Sequence, residues 1–123
     1  MLHEENTIRL RHMLDAAREA LDHAEGRSRD DLESDRQLVH SLVHCLEIIG
    51  EAASKVSHET REEIPAIPWT RMVGMRNRLI HAYYDVNLKI VWRTVREELP
   101  ELIEAIEAAL GGSEQGPDSS SPL

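Results

Sequence analysis

The stretch Arg76-Asn77-Arg78-Leu79-Ile80-His81-Ala82-Tyr83 holds side chains that could break a phosphodiester bond without a metal ion. Histidine can move a proton near neutral pH, because its unperturbed pKa is about 6.5. Arginine carries a fixed positive fork that matches phosphate oxygens and stabilises charge developing on them. Asn77 could orient either group by hydrogen bonding. On one helix, Arg76 and His81 would lie about 7.5 Å apart along the axis and about 140° apart around it. Both would reach one phosphodiester if they curled toward a common groove. The 2′-OH of an RNA would then attack the adjacent phosphate and leave a cyclic phosphate end. Acid–base cleavage works best with two proton-transfer groups, and one helix supplies a single histidine. A symmetric dimer with two such helices face to face would supply the second. Spacing alone leaves a plainer reading open, in which Arg76 and Arg78 are surface charges and His81 satisfies a helix end.

Charge is distributed unevenly around this stretch. The chain carries −9 in total, which does not announce a nucleic-acid binder. Yet Arg71, Arg76, Arg78, Lys89, Arg93 and Arg96 face only Asp85 between Ala66 and Arg96, a local +5 that leaves −14 on the remainder. The pattern suits a local anion site whose acidic surroundings limit non-specific binding, with Arg71, Arg78 and Lys89 as candidate phosphate contacts. Clustering on a solvated helix face is the alternative.

The elements that must position these residues are helical. Ile8, Leu10, Met13, Leu14, Ala17, Leu21 and Ala24 recur at three and four residues and predict a helix from about Glu4 to Glu25, ended by Gly26. Ser28 or Asp30 can cap a second helix, predicted from about Asp31 to Val56 and rich enough in Leu, Val and Ile to centre the core. Ser57 to Ile64 reads as a short capped turn, since Thr60 and Glu63 have capping-box spacing. Pro65-Ala66-Ile67-Pro68 forces an extended connector. Pro68 can then open a third helix running from about Trp69 to His81 or Tyr83. Tyr84 to Asn87 is a break with Asp85 or Asn87 as caps. A last helix runs from Leu88 to Leu110, where Pro100 should bend it or remove one backbone bond. Gly111-Gly112 should stop it.

No alternating strand pattern competes, so the expected fold is all-α, an antiparallel helical bundle over residues 1–110 with a disordered polar tail over 111–123. The 123-residue length fits one domain. No run of about 18 apolar residues exists and the N-terminus is charged, so neither a membrane span nor a signal peptide is expected. The single cysteine, Cys45, fits a reducing cytoplasm and reads as a core residue. His40 and His44 have a spacing that can bind zinc, but no second ligand pair stands at a standard spacing; no metal and no cofactor are expected. Glu47 and Glu51 could face the basic segment, with ordinary surface ion pairing as the plainer role. Gly50 and Gly74 could permit close helix packing. Trp69 and Trp92 read as core or interface anchors.

Three further stretches carry a resemblance: Pro68-Trp69; Gly74-Met-Arg-Asn-Arg-Leu-Ile-His-Ala-Tyr83; and Asp85-Val-Asn-Leu88-x-x-Val91-Trp92. With Ile48-Ile-Gly-Glu-Ala-Ala53 before them, they resemble the HepT-like HEPN proteins in pattern and order from about Glu4 to Leu110. The resemblance implies a HEPN-type bundle that dimerises, with the Arg-x4-His motifs of two subunits forming a composite ribonuclease cleft. It makes Arg76 and His81 the catalytic pair, with Asn77 the polar residue after the arginine. It makes Tyr83 the tyrosine to which a partner nucleotidyltransferase antitoxin of the MntA type attaches AMP. It implies a cytoplasmic, metal-independent RNA nuclease toxin of a type VII-like toxin–antitoxin pair. A non-catalytic module that docks a nucleotidyltransferase is the alternative.

Overall fold

The computed structural model describes residues 3–80 and 85–113, with side chains through 111. Among them the structure is all-α, and the only β-type pairing is an isolated antiparallel bridge between Ile80 and Val86. Helix α1 spans Glu4–Ala24 and ends where Gly26 takes a φ of 74°, a left-handed conformation that glycine adopts without strain. Its apolar stripe buries Leu10, Met13, Leu14, Ala17 and Ala20.

The second predicted helix is two. α2 covers Asp31–Ser34 and α3 covers Arg36–Ser54, with the chain extended at Asp35. The break has a local cause. The Asp35 carboxylate accepts from the Leu38 N–H at 3.0 Å and so caps α3, while Arg27 donates to its other oxygen at 2.7 Å. Arg27 also reaches Asp31, so one guanidinium joins the end of α1 to both following helices.

α3 lies antiparallel to α1. Asn6, near the start of α1, is bonded to Ser57 and Thr60, beyond the end of α3. Ser57 caps α4 (His58–Glu63) by accepting from Thr60 N–H, so the cap is Ser57 and not the predicted Thr60. Arg61 donates to the carbonyls of Ala53, Ser54 and Val56 and ties α4 to the end of α3. Trp69 packs against the core, and its Nε1–H donates to the carbonyls of Arg61 and Ile64.

The third predicted helix is shorter and divided. α5 spans Trp69–Val73 and α6 spans Met75–Leu79, with Gly74 between them at non-helical angles. Ile80 is extended, so helix ends at Leu79 instead of His81 or Tyr83. The Ile80–Val86 bridge and a 2.7 Å bond from Asn87 N–H to the Leu79 carbonyl take over the pairing that another helical turn would have made.

Asn87 caps α7 (Leu88–Arg93), accepting from Ile90 N–H at 3.1 Å. A π-helical turn follows over Thr94–Glu98, and α8 runs Leu99–Ser113. Pro100 has no N–H to give the Arg96 carbonyl and its ring crowds that oxygen, so the ladder is disturbed one turn upstream. Gly111 does not stop α8 at the expected place: the helix runs on to Ser113, since glycine in a last turn is tolerated at a cost of about 1 kcal/mol. The expected disordered tail lies, beyond that point, outside the described residues.

Leu42, Leu46 and Ile49 of α3 share one core with Leu10 and Met13 of α1, with Val91 and Val95, and with Leu99, Leu102 and Ile106 toward the C-terminus. Cys45 belongs to it, 1% exposed; burial first, then the nearby charge of Glu19, pushes its thiol up to about 11. Gly50 sits where α3 meets α5 and α6. A Cβ there would come within 2.8 Å of the Met72 carbonyl oxygen and 3.2 Å of Met75 Cβ, so this close approach needs glycine.

Candidate functional site

α6 is held to the bundle by Met75 and Leu79, both fully buried, and this sets the outlook of the residues between them. Met72, Met75 and Leu79, three and four apart, form the inward stripe, so Arg76 and Asn77 point outward. The Arg76 side chain is 73% exposed, and its Nη1 donates to Glu47 Oε2 of α3 at 3.0 Å. One carboxylate holds the guanidinium from one side while most of its fork faces solvent.

The other arginines of the basic segment are placed differently. Arg78 forms a two-pronged pair with Glu98, Nη1 to Oε1 at 3.2 Å and Nη2 to Oε2 at 2.9 Å. Arg71 donates to the same carboxylate at 2.9 Å. Glu98 is 14% exposed, so it clamps α5 and α6 to the π-helical turn from a largely desolvated position. It stands two residues beyond the segment whose charge sums to +5, and it offsets part of that charge. Lys89 is exposed in the first turn of α7.

His81 and Tyr83 lie outside the described residues. The end of helix at Leu79 replaces the single-helix relation expected between Arg76 and His81. On either side of 81–84 the chain is tied by the Ile80–Val86 bridge and the Asn87–Leu79 bond.

Arg76 and Glu47 stand at the wall of a groove of about 540 Å³ between α1, α3 and α5–α6. Arg9 and His12 of α1 and His44 and Lys55 from the α3 side share it. Lys55 pairs with Glu51 at 3.3 Å, so Glu51 and Glu47 each answer one base here. The groove thus offers cationic donors and two imidazoles beside Arg76. Arg9, His12 and Lys55 were not candidates from the sequence, and no spacing pattern could have singled them out: the packing of α1 and of α5–α6 against α3 brings them near Arg76.

The helical bundle is consistent with a HEPN-type fold, and comparison with known proteins agrees. A family model described as "Ribonuclease HepT-like" matches residues 13–109, and the chain belongs to the HepT-like ribonuclease family. It is 38% identical over 101 residues to "Putative RNase TTE0752" of Caldanaerobacter subterraneus subsp. tengcongensis, covering 82% of this chain and 90% of that one. It is 38% identical over 73 residues to "Probable ribonuclease HepT" of Thermococcus cleftensis, covering 59% of this chain and 66% of the other. No solved structure matches it. Among the described residues, no helix is long and apolar enough to cross a membrane.

Proposed function

We propose that this chain is a metal-independent ribonuclease that acts as the toxin of a cytoplasmic toxin–antitoxin pair. The observation that carries this reading is the outward-facing Arg76 at the edge of a groove with cationic and imidazole groups, in a chain of a ribonuclease family. Arg76 stabilises the negative charge that gathers on the phosphate as it becomes five-coordinate. His81 takes the proton from the attacking 2′-OH. The oxygen–phosphorus bond to the 5′-oxygen breaks as that oxygen gains a proton, leaving a cyclic phosphate and a free 5′-OH. A second His81, brought by a second copy of the chain, supplies that proton, so the working unit is a homodimer. Asn77 orients one of these groups, and Arg71, Arg78 and Lys89 offer their remaining N–H donors to flanking phosphates, while Glu98 keeps its hold on the two arginines.

Silencing follows from charge and bulk. A nucleotidyltransferase antitoxin of the MntA type attaches AMP to Tyr83, two residues from His81. That fills the site and adds a negative phosphate that repels RNA, by the same physics as phosphorylation.

The test is incubation of purified, unmodified protein with total RNA in EDTA, beside His81→Ala. Cleavage by the wild type alone, with cyclic-phosphate ends, supports the reading. No cleavage by either, with intact mass proving Tyr83 unmodified, overturns it in favour of a non-catalytic module that docks the nucleotidyltransferase.

A further inference from the structure

A second cluster of reactive side chains lies between α1 and α3. Glu19 and His23 are one helical turn apart on α1, with His23 Nε2 at 3.5 Å from Glu19 Oε2. Cys45 faces them from α3, and the three donor atoms, one oxygen, one nitrogen and one sulfur, all lie within 4.8 Å of one another. None of the three lines the groove beside Arg76.

We infer that Glu19, His23 and Cys45 form a binding site for a thiophilic divalent cation, zinc being the best match. A sulfur, an imidazole nitrogen and a carboxylate oxygen are the donor types zinc takes, and three protein donors leave a fourth tetrahedral position for water. Zinc sits about 2.3 Å from sulfur and about 2.1 Å from nitrogen, which puts tetrahedral donors about 3.6 Å apart. The cluster, with its donors within 4.8 Å of one another, stands about an ångström wider than that spacing.

The burial pattern suits an ion entering from solvent. Cys45 is 1% exposed and belongs to the packed core, so the sulfur forms the floor of the cluster. The side chains of His23 and Glu19 are 38% and 60% exposed and can turn onto an incoming ion. Bound, the ion joins α1 to α3 and stabilises the bundle, because an unfolded chain does not hold the three donors together. Ligand spacing along the chain does not contain this set, since its third member comes from another helix. The inference is independent of the proposed cleavage chemistry, which stays metal-free.

The full chain, stripped with EDTA and then freed of chelator, is titrated with cobalt(II) as a spectroscopic probe and with zinc in competition. One ion per chain is expected, with a near-ultraviolet sulfur-to-cobalt charge-transfer band that zinc abolishes. Cys45→Ala should remove the band. Glu19→Gln and His23→Gln, at exposed positions that leave the core untouched, should each weaken zinc binding roughly tenfold or more. Absence of binding at micromolar zinc overturns the inference, as does cobalt binding without the charge-transfer band. So does affinity that is unchanged in His23→Gln but lost in His40→Gln or His44→Gln. RNA cleavage in EDTA is read separately, so either proposal can fail alone.

Discussion

At the scale of single residues, Arg76 is distinguished by what it lacks. Arg78 and Arg71 both close on Glu98, whereas Arg76 meets Glu47 with one nitrogen and keeps a side chain 73% exposed. Removing a donor aimed at developing charge typically costs 10²–10³ in rate, so Arg76→Ala should lower cleavage by about that factor in a single-turnover assay. Arg76→Lys should recover little, because an ammonium cannot present the planar fork. A phosphate bound to the open side of the Arg76 fork meets the Glu47 carboxylate as a neighbouring like charge. In a His81→Ala background that binds without cutting, Glu47→Gln should therefore tighten RNA binding by up to about fivefold, the range of a partly exposed ion pair, measured by fluorescence anisotropy. Tyr83→Phe should keep nuclease activity and show no added AMP by intact mass after incubation with the partner enzyme and ATP. Persistent modification would point to Tyr84.

At the scale of elements, Asp35 and Gly50 decide how the helices meet. The Arg27 guanidinium, followed by the Leu38 N–H, holds the Asp35 carboxyl below its usual range. A carboxyl lowered in the folded state stabilises the protein above its unfolded pKa of about 3.9, and that stability is lost as pH falls below it through the folded value. Asp35→Asn should therefore lower Tm at neutral pH and flatten the acid side of the Tm-against-pH profile below about pH 4, followed by circular dichroism. Gly50→Ala is an overpacking change. Its Cβ would meet the Met72 carbonyl at 2.8 Å, and backbone cannot swing aside as a side-chain tip can. It should cost about 1–3 kcal/mol in urea unfolding. Because Met72 lies in α5 and Met75 opens α6, the helix that carries Arg76, it should also reduce cleavage more than a stability loss of that size explains.

For the whole molecule, charge and assembly are coupled. A chain of net −9 repels RNA at long range and attracts it only where its bases are concentrated. A symmetric dimer that brings two basic segments face to face concentrates positive potential at the seam, while the acidic remainder, also doubled, is spread over the outer surface. Light scattering at micromolar concentration should give twice the chain mass, and a monomer with full cleavage activity would exclude a composite cleft. RNA binding should weaken only modestly between 50 and 200 mM salt, since few phosphate contacts release few counterions and salt also screens the acidic remainder.

Helical class, the span of α1 and the stop at Gly26 are legible in the sequence, and the cap at Asn87 is legible as one of two candidates with Asp85, because each depends on neighbours within about one turn: a stripe at three and four residues, a glycine with φ of 74°, an asparagine three residues before the N–H it accepts. The break at Asp35 was hidden by a continuous apolar pattern, since the competing interaction came from Arg27, eight residues back. Likewise Gly74 divides α5 from α6 without interrupting the inward stripe of Met72, Met75 and Leu79. Burial periodicity records which face is apolar, not whether the backbone ladder is unbroken. The motif residues Arg76, Asn77, His81 and Tyr83 could be named from the sequence. That Glu47 holds Arg76, that Glu98 clamps Arg71 and Arg78, and that Cys45 meets Glu19 and His23 depended on the packing register of helices 20 or more residues apart. That register is set by how whole faces interlock, a property no local window of the chain contains.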